Sequence, residues 1–166
     1  EHQKALSREG SYLITGGSRG LGLEVALGMA IGGAGTVILV SRSAPPAESA
    51  EKISQMEAAG AKVVCREVDI ADPKAVSELI QYIQTELPPL RGIVHSAGAT
   101  DDALIPNLDW SRFENVLAPK IAGAWNLHTL TQHLHLDFFI LFSAGASIFG
   151  SAGQSNYAAA NAFLDA

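Results

Sequence analysis

Short apolar runs of strand length alternate with longer stretches in which apolar residues recur every three or four positions. The run S-Y-L-I-T at residues 11–15 is followed by a helical period at 21–31, marked by Leu21, Val25, Ala26 and Met29 and stopped by Gly32-Gly33. T-V-I-L-V at 36–40 is a continuous β-branched run of the kind buried on both faces of a parallel sheet. After the surface linker Ala44-Pro45-Pro46, residues 48–59 predict a helix with Ile53 and Met56 inward and Gly60 as its stop, and 63–68 a third strand. Asp72-Pro73, an N-cap followed by a first-turn proline, opens a helix with Val76, Leu79, Ile80 and Ile83 inward, and Pro88-Pro89 closes it. Strand four is expected at 92–95 and strand five at 138–142. Helices are expected at 110–117, at 119–130 opened by Pro119 with Ile121, Ala124, Trp125 and Leu127 as core positions, and at 153–166. Three β-α units in succession imply a parallel sheet.

The first strand runs into T-G-G-S-R-G-L-G, residues 15–22, in which Gly16, Gly20 and Gly22 take the main roles. A backbone that bends sharply, approaches a pyrophosphate and packs helix against strand needs glycines there, and the helix start offers free N–H groups to the anion. The fold expected is a Rossmann-type doubly wound α/β sheet, three-layered and C-terminally incomplete.

At 166 residues, 48% hydrophobic and 17% charged, the chain suits one globular domain, with residues 1–10 as a linker. A net charge of −6 without a dense basic block argues against nucleic acid. The lone Cys65 is expected as core filler in a reducing compartment, with no metal site. No signal-peptide core or membrane-length run occurs, so the expected location is cytoplasmic, away from membranes.

Strand two ends in Ser41-Arg42. An acidic residue there would take the ribose 2′-hydroxyl of NAD, whereas an arginine pairs with the 2′-phosphate of NADP; Arg42 favours NADPH over the alternative of a solvated strand-end arginine. Asp69, with Ile70, either contacts adenine or caps nearby backbone. His95 reads as a strand-end histidine, and the tryptophans as packing.

The glycine turn resembles that of short-chain dehydrogenases/reductases. L-F-S-A-G-A-S-I-F-G-S-A-G-Q-S-N-Y-A-A-A-N-A-F-L-D-A, with L-A-P-K-I-A-G-A-W-N-L-H upstream, makes the chain similar over essentially its whole length to the ketoreductase domain of modular polyketide synthases. The resemblance implies a cofactor site of Thr15, Gly16, Gly17, Ser18, Arg19, Gly20, Leu21, Gly22, Ser41, Arg42, Asp69, Ile70 and the S-A-G turn Ser96, Ala97, Gly98, where the family has N-A-G. It implies Tyr157 as the acid that protonates the alkoxide, with Lys120 and Asn161 at the family's lysine and asparagine positions. A free phenol titrates at about 10, so a nearby cation must favour the phenolate. Ordinary short-chain reductases carry the lysine four residues after the tyrosine; here Y-A-A-A-N has asparagine there, as in the polyketide and fatty-acid type.

The family's substrate-binding serine stands thirteen residues before the tyrosine, where this chain has Ala144. Ser143 is expected to face away by strand alternation, and Ser147 is the candidate replacement. Losing such a donor costs about 10²–10³ in turnover. Thr100-Asp101-Asp102 stands where one stereochemical class has L-D-D, and Phe149 where the opposite class has tryptophan, which together imply a D-configured β-hydroxyl.

The expected function is NADPH-dependent reduction of a β-ketoacyl group, carried on the phosphopantetheine of an acyl carrier protein within a polyketide synthase. The alternative is a reductase-inactive NADPH-binding scaffold. A free-standing alcohol dehydrogenase would have Y-x-x-x-K and the serine. The family continues beyond the equivalent of Ala166 with two further strands and a substrate-covering segment, so the piece alone is expected to expose a sheet edge.

Overall fold

The computed structural model describes residues 6–166; the first half of the expected linker lies outside the described residues. Its second half is fastened to the domain: the Ser7 amide donates to the Tyr12 hydroxyl at 2.6 Å, and Arg8 reaches the carbonyl of Ala59 at 3.0 Å.

Five parallel strands, β1 (Ser11–Thr15), β2 (Thr36–Ser41), β3 (Lys62–Glu67), β4 (Leu90–His95) and β5 (Phe138–Leu141), form one sheet in the order β3-β2-β1-β4-β5. Alternate residues serve opposite faces. Tyr12, Ile14, Val37, Leu39 and Val94 pack with α1 (Gly20–Ile31) and with Met56 of α2 (Ala50–Ala58). Leu13, Ile38, Val40 and Ile93 pack with Val76, Leu79, Ile80 and Ile83 of α3 (Pro73–Glu86) and with Leu127 of α5 (Gly123–Thr131). Every residue of β1 and all but the last of β2 are buried, as a sheet covered on both sides requires. Gly92 pairs laterally with both Tyr12 and Phe138, and those two rings stack across it at 5.9 Å; a side chain on Gly92 would enter the Phe138 ring.

The order in which successive strands are added reverses between β1 and β4, because β2 and β3 lie to one side of β1 and β4 and β5 to the other. Parallel sheets of this kind open a crevice at such a switch point, beyond the carboxyl ends of the strands.

Four expectations are corrected. Cys65 is exposed, because β3 is an edge strand and its outward residues meet solvent. Trp125, expected in the core, is 58% exposed, whereas Trp110, also exposed, packs by stacking on Phe113 at 6.3 Å. In α1 it is Leu23 that is buried, while Leu21 faces the crevice. Pro119 does not open a new helix: α4 (Trp110–Leu117) continues through a wide π turn, Ala118–Ala122, into α5. The turn absorbs a residue that has no N–H and clashes with the preceding carbonyl. The short α6 (Ala146–Phe149) was not foreseen, and α7 is Ser155–Asp165.

Candidate active site

A crevice of about 980 Å³ lies at the switch point. Its floor is the glycine turn. Gly16 has φ +68°, and a Cβ there would lie 2.9 Å from the Ala97 amide and the Ser96 carbonyl, so the turns after β1 and β4 touch only because Gly16 has no side chain. A Cβ on Gly22 would collide with the Gly16 carbonyl, whereas one on Gly20 would meet nothing within 4 Å. The α1 start carries no side-chain cap, so its N–H groups remain available at the crevice.

Ser18, Ser41 and Ser49 fix one end of the crevice. The Ser41 hydroxyl donates to Ser18 Oγ at 2.6 Å, and the Ser49 hydroxyl to the Ser18 carbonyl at 2.6 Å. Arg19 and Arg42 are exposed at the crevice. Ile70 is buried beneath it, and Asp69 Oδ1 accepts from the Ala71 amide at 3.0 Å, the local cap that the sequence allowed. Ser96, Ala97 and Gly98 form the opposite wall.

Tyr157 and Lys120 meet at the far end. Lys120 is 4% exposed; its Nζ donates to the Phe142 carbonyl at 2.9 Å and sits 5.5 Å from the centre of the Tyr157 ring. Burial lowers its pKa, and the charge of Asp165 partly opposes this. Gly98 gives the lysine its room, since a Cβ there would stand 3.1 Å from Lys120 Cε. Asn161 is buried one turn beyond Tyr157. Its Nδ2 donates to the Tyr157 carbonyl at 2.8 Å, and its Oδ1 is buried without a partner.

The serine loop departs from strand logic. β5 ends at Leu141, so alternation does not extend to Ser143, which lines the crevice and donates from Oγ to the Asn161 carbonyl at 3.3 Å. Ser147 is turned elsewhere: its hydroxyl lies 2.6 Å from Asp165 Oδ2 and 2.8 Å from the Ala144 carbonyl, and it is not among the residues lining the crevice. Hydrogen bonds from Ser147 and Ser143 hold the Asp165 carboxyl below its ordinary pKa.

Sequence reasoning gave Asn156 no role. It is fully buried, its Nδ2 donating to the carbonyls of Asp101 (2.9 Å) and Arg112 (3.1 Å) while its Oδ1 accepts the Tyr157 amide at 2.8 Å. Asp101 Oδ1 pairs with Arg112 at 2.5 Å, and Asp102 Oδ2 accepts from Gln154 at 2.9 Å. The only prior signal was adjacency to the tyrosine. Phe149 projects outward, 87% exposed.

The family profile described as "KR domain" matches residues 10–166. The chain belongs to the ketoreductase domains of polyketide synthases. It is 42% identical over 165 residues to the mycocerosic acid synthase-like polyketide synthase of Mycobacterium tuberculosis (strain ATCC 25618 / H37Rv), covering 99% of this chain and 8% of that protein. A phthioceranic/hydroxyphthioceranic acid synthase of Mycobacterium bovis (strain BCG / Pasteur 1173P2) is 41% identical over 166 residues, again 8% of its length. A ketoreductase domain from the bacillaene assembly line superposes with a TM-score of 0.93 at 38% identity, over 99% of this chain and 39% of that one. An N-terminal ketoreductase from the macrolactin assembly line gives 0.90 at 40%, over 94% and 32%. This ketoreductase chain thus spans about a twelfth of its curated relatives and about a third of the solved domains.

Ketoreductases of this fold take a nicotinamide cofactor, and the residues present fit one. The open space at Gly20, the uncapped α1 start and the side-chain-free approach at Gly16 form a cradle for a pyrophosphate. Among the described residues no cluster of metal-binding side chains occurs, and no helix is long and apolar enough to cross a membrane.

Proposed function

We propose that this domain catalyses NADPH-dependent reduction of a β-ketoacyl thioester to the β-hydroxyacyl thioester during polyketide chain extension. The substrate is delivered on the phosphopantetheine arm of an acyl carrier protein, within a cytoplasmic synthase carrying further domains. The observation that carries the reading is the pairing of Tyr157 with buried Lys120 on the wall of the crevice that the glycine turn floors.

When bound, the nicotinamide supplies hydride to the ketone carbon. Tyr157 gives its phenolic proton to the oxygen as the carbonyl electron pair moves onto it. Lys120, fixed by the Phe142 carbonyl, places a cation beside the ring and favours the phenolate left behind. Gly16, Gly17, Gly20 and Gly22 hold the pyrophosphate, with Thr15 and Leu21 flanking it. Arg42, with Ser18, Arg19 and Ser41, receives a 2′-phosphate; Asp69 and Ile70 flank the adenine, and Ser96, Ala97 and Gly98 support the nicotinamide half. Asn161 orders the Tyr157 helix. Asp101, Asp102 and Phe149 support the D-hydroxyl class.

Ala144 removes a donor to the substrate carbonyl, which lowers turnover by about 10²–10³ unless another hydroxyl serves. A second reading, an NADPH-binding scaffold without reductase activity, is favoured by the engagement of Ser147 with Asp165, which takes the expected replacement out of reach.

NADPH oxidation with a β-ketoacyl thioester mimic, measured on the complete domain as it stands and as Ala144→Ser, separates them. Turnover gained on restoring the serine supports an impaired reductase, and equal turnover supports a substitute donor. NADPH binding without turnover in either protein supports the scaffold.

A further inference from the structure

One buried titratable group has no part in that chemistry. His95, the last residue of β4, is 1% exposed. Its Nδ1 lies 2.8 Å from the hydroxyl of Thr15, the first residue of the glycine-turn motif. That hydroxyl also accepts the Ala97 amide at 3.3 Å, and its own proton serves Nδ1 when the ring hydrogen is carried on Nε2. Nε2 is fully buried without a hydrogen bond of good geometry, and the carbonyls of Pro119 and Lys120, in the π turn, face the ring. The helix is pressed onto the histidine: a Cβ on Gly123 would stand 3.3 Å from His95 Cε1 and 2.6 Å from Ile70 Cδ1.

We propose that His95 is a positioning residue for Lys120: Nδ1 takes the hydroxyl of Thr15, and Nε2–H points to the carbonyls of the wide turn that carries the lysine. One neutral ring thereby couples the turn that holds the cofactor to the helix that supplies the cation beside Tyr157. Burial and the neighbouring Lys120 charge push the His95 pKa down to about 4, which keeps the ring uncharged at neutral pH. A wide turn suits this task, because π geometry opens the helical ladder to an outside donor and recurs at functional sites.

The kinetic part rests on the reductase reading, so the test uses the complete domain in the Ala144→Ser background and two readouts besides turnover. A glutamine at 95 can place an amide N–H where Nε2 stands; an asparagine reaches Thr15 but stops short of the π turn. His95→Asn is expected to keep NADPH affinity within about threefold and lose about tenfold in kcat, with His95→Gln recovering most of it. Nitrogen-15 NMR of the cofactor-free domain is expected to show His95 as the neutral Nε2–H tautomer. Equal kcat in both variants overturns the proposal, as does an Nδ1–H tautomer, or loss of NADPH binding in both variants, which would make His95 merely structural. A parent without turnover sinks the reductase reading alone, and the tautomer then decides on His95.

Discussion

The ammonium of Lys120 donates to the Phe142 carbonyl at 2.9 Å while lying 5.5 Å from the centre of the Tyr157 ring, so a backbone group at the end of β5 fixes the cation beside the phenol. Tyr157→Phe keeps the ring and removes only the proton donor. In the Ala144→Ser background it is expected to lower kcat by about 10²–10⁴ while leaving NADPH affinity unchanged. Lys120→Met is expected to lower kcat as well. A Tyr157→Phe enzyme with parental kcat would end the assignment of the acid.

Gly22 and Gly20 are expected to fail differently when substituted. A methyl on Gly22 runs into the Gly16 carbonyl inside the turn, so Gly22→Ala should lower the melting temperature and abolish NADPH binding together. Gly20 faces open space at φ +55°, so Gly20→Ala costs only about 1 kcal/mol of backbone strain, but under the proposed cofactor reading its methyl would stand where the pyrophosphate is held. Thermal melts with and without NADPH distinguish them: Gly20→Ala keeps most of its intrinsic stability and loses the upshift given by NADPH. An undiminished upshift would move the pyrophosphate elsewhere.

Arg42 is exposed at the crevice and stands where an acidic residue would select NAD. A charge-assisted hydrogen bond to a 2′-phosphate is worth a factor of about 10–100 in affinity. Arg42→Ala should therefore weaken NADPH by that factor and leave NADH nearly unchanged. Equal loss for both cofactors would assign Arg42 a structural part.

What the sequence made legible was local. Glycine spacing after an apolar run, the Asp72-Pro73 helix start and the Tyr157 and Asn161 pair one turn apart each depend on a few neighbouring residues, and each is found as expected. The misreadings share one cause. Cys65 and Trp125 sit in apolar surroundings along the chain, but their exposure depends on which strand is an edge and which helix face lacks a partner. Pro119 reads as a helix start, whereas the helix runs past it through the π turn, with Gly123 packed closely on Ile70 and His95. Ser143 was assigned by strand alternation to the wrong side, because where β5 stops is set by pairing with β4, which also ends the alternation.

That misreading leads to a test of the substitute donor. Ser143 lines the crevice and Ser147 is engaged by Asp165, so any turnover of the unaltered Ala144 protein is expected to fall at least tenfold in Ser143→Ala and to change less than twofold in Ser147→Ala. The reverse order would show that the Ser147 and Asp165 contact opens during the reaction.

His95 makes the fold itself sensitive to acid. Its pKa is about 4 in the folded domain against 6.5 for an unhindered histidine, the causes being burial first and the charge of Lys120 second. Between those values the unfolded chain binds the extra proton, so stability is full above pH 6.5 and declines as the pH falls toward 4. From pH 7 to pH 5 this one group should remove about 2 kcal/mol, a loss absent from His95→Gln because an amide does not titrate. Urea unfolding of the complete domain at the two pH values, parent against variant, reads the difference directly and cancels the exposed histidines common to both. Parallel pH slopes would mean that the ring is already protonated, or reached by water, in the folded protein. The neutral contact between Thr15 and the turn of Lys120 would then be lost with it.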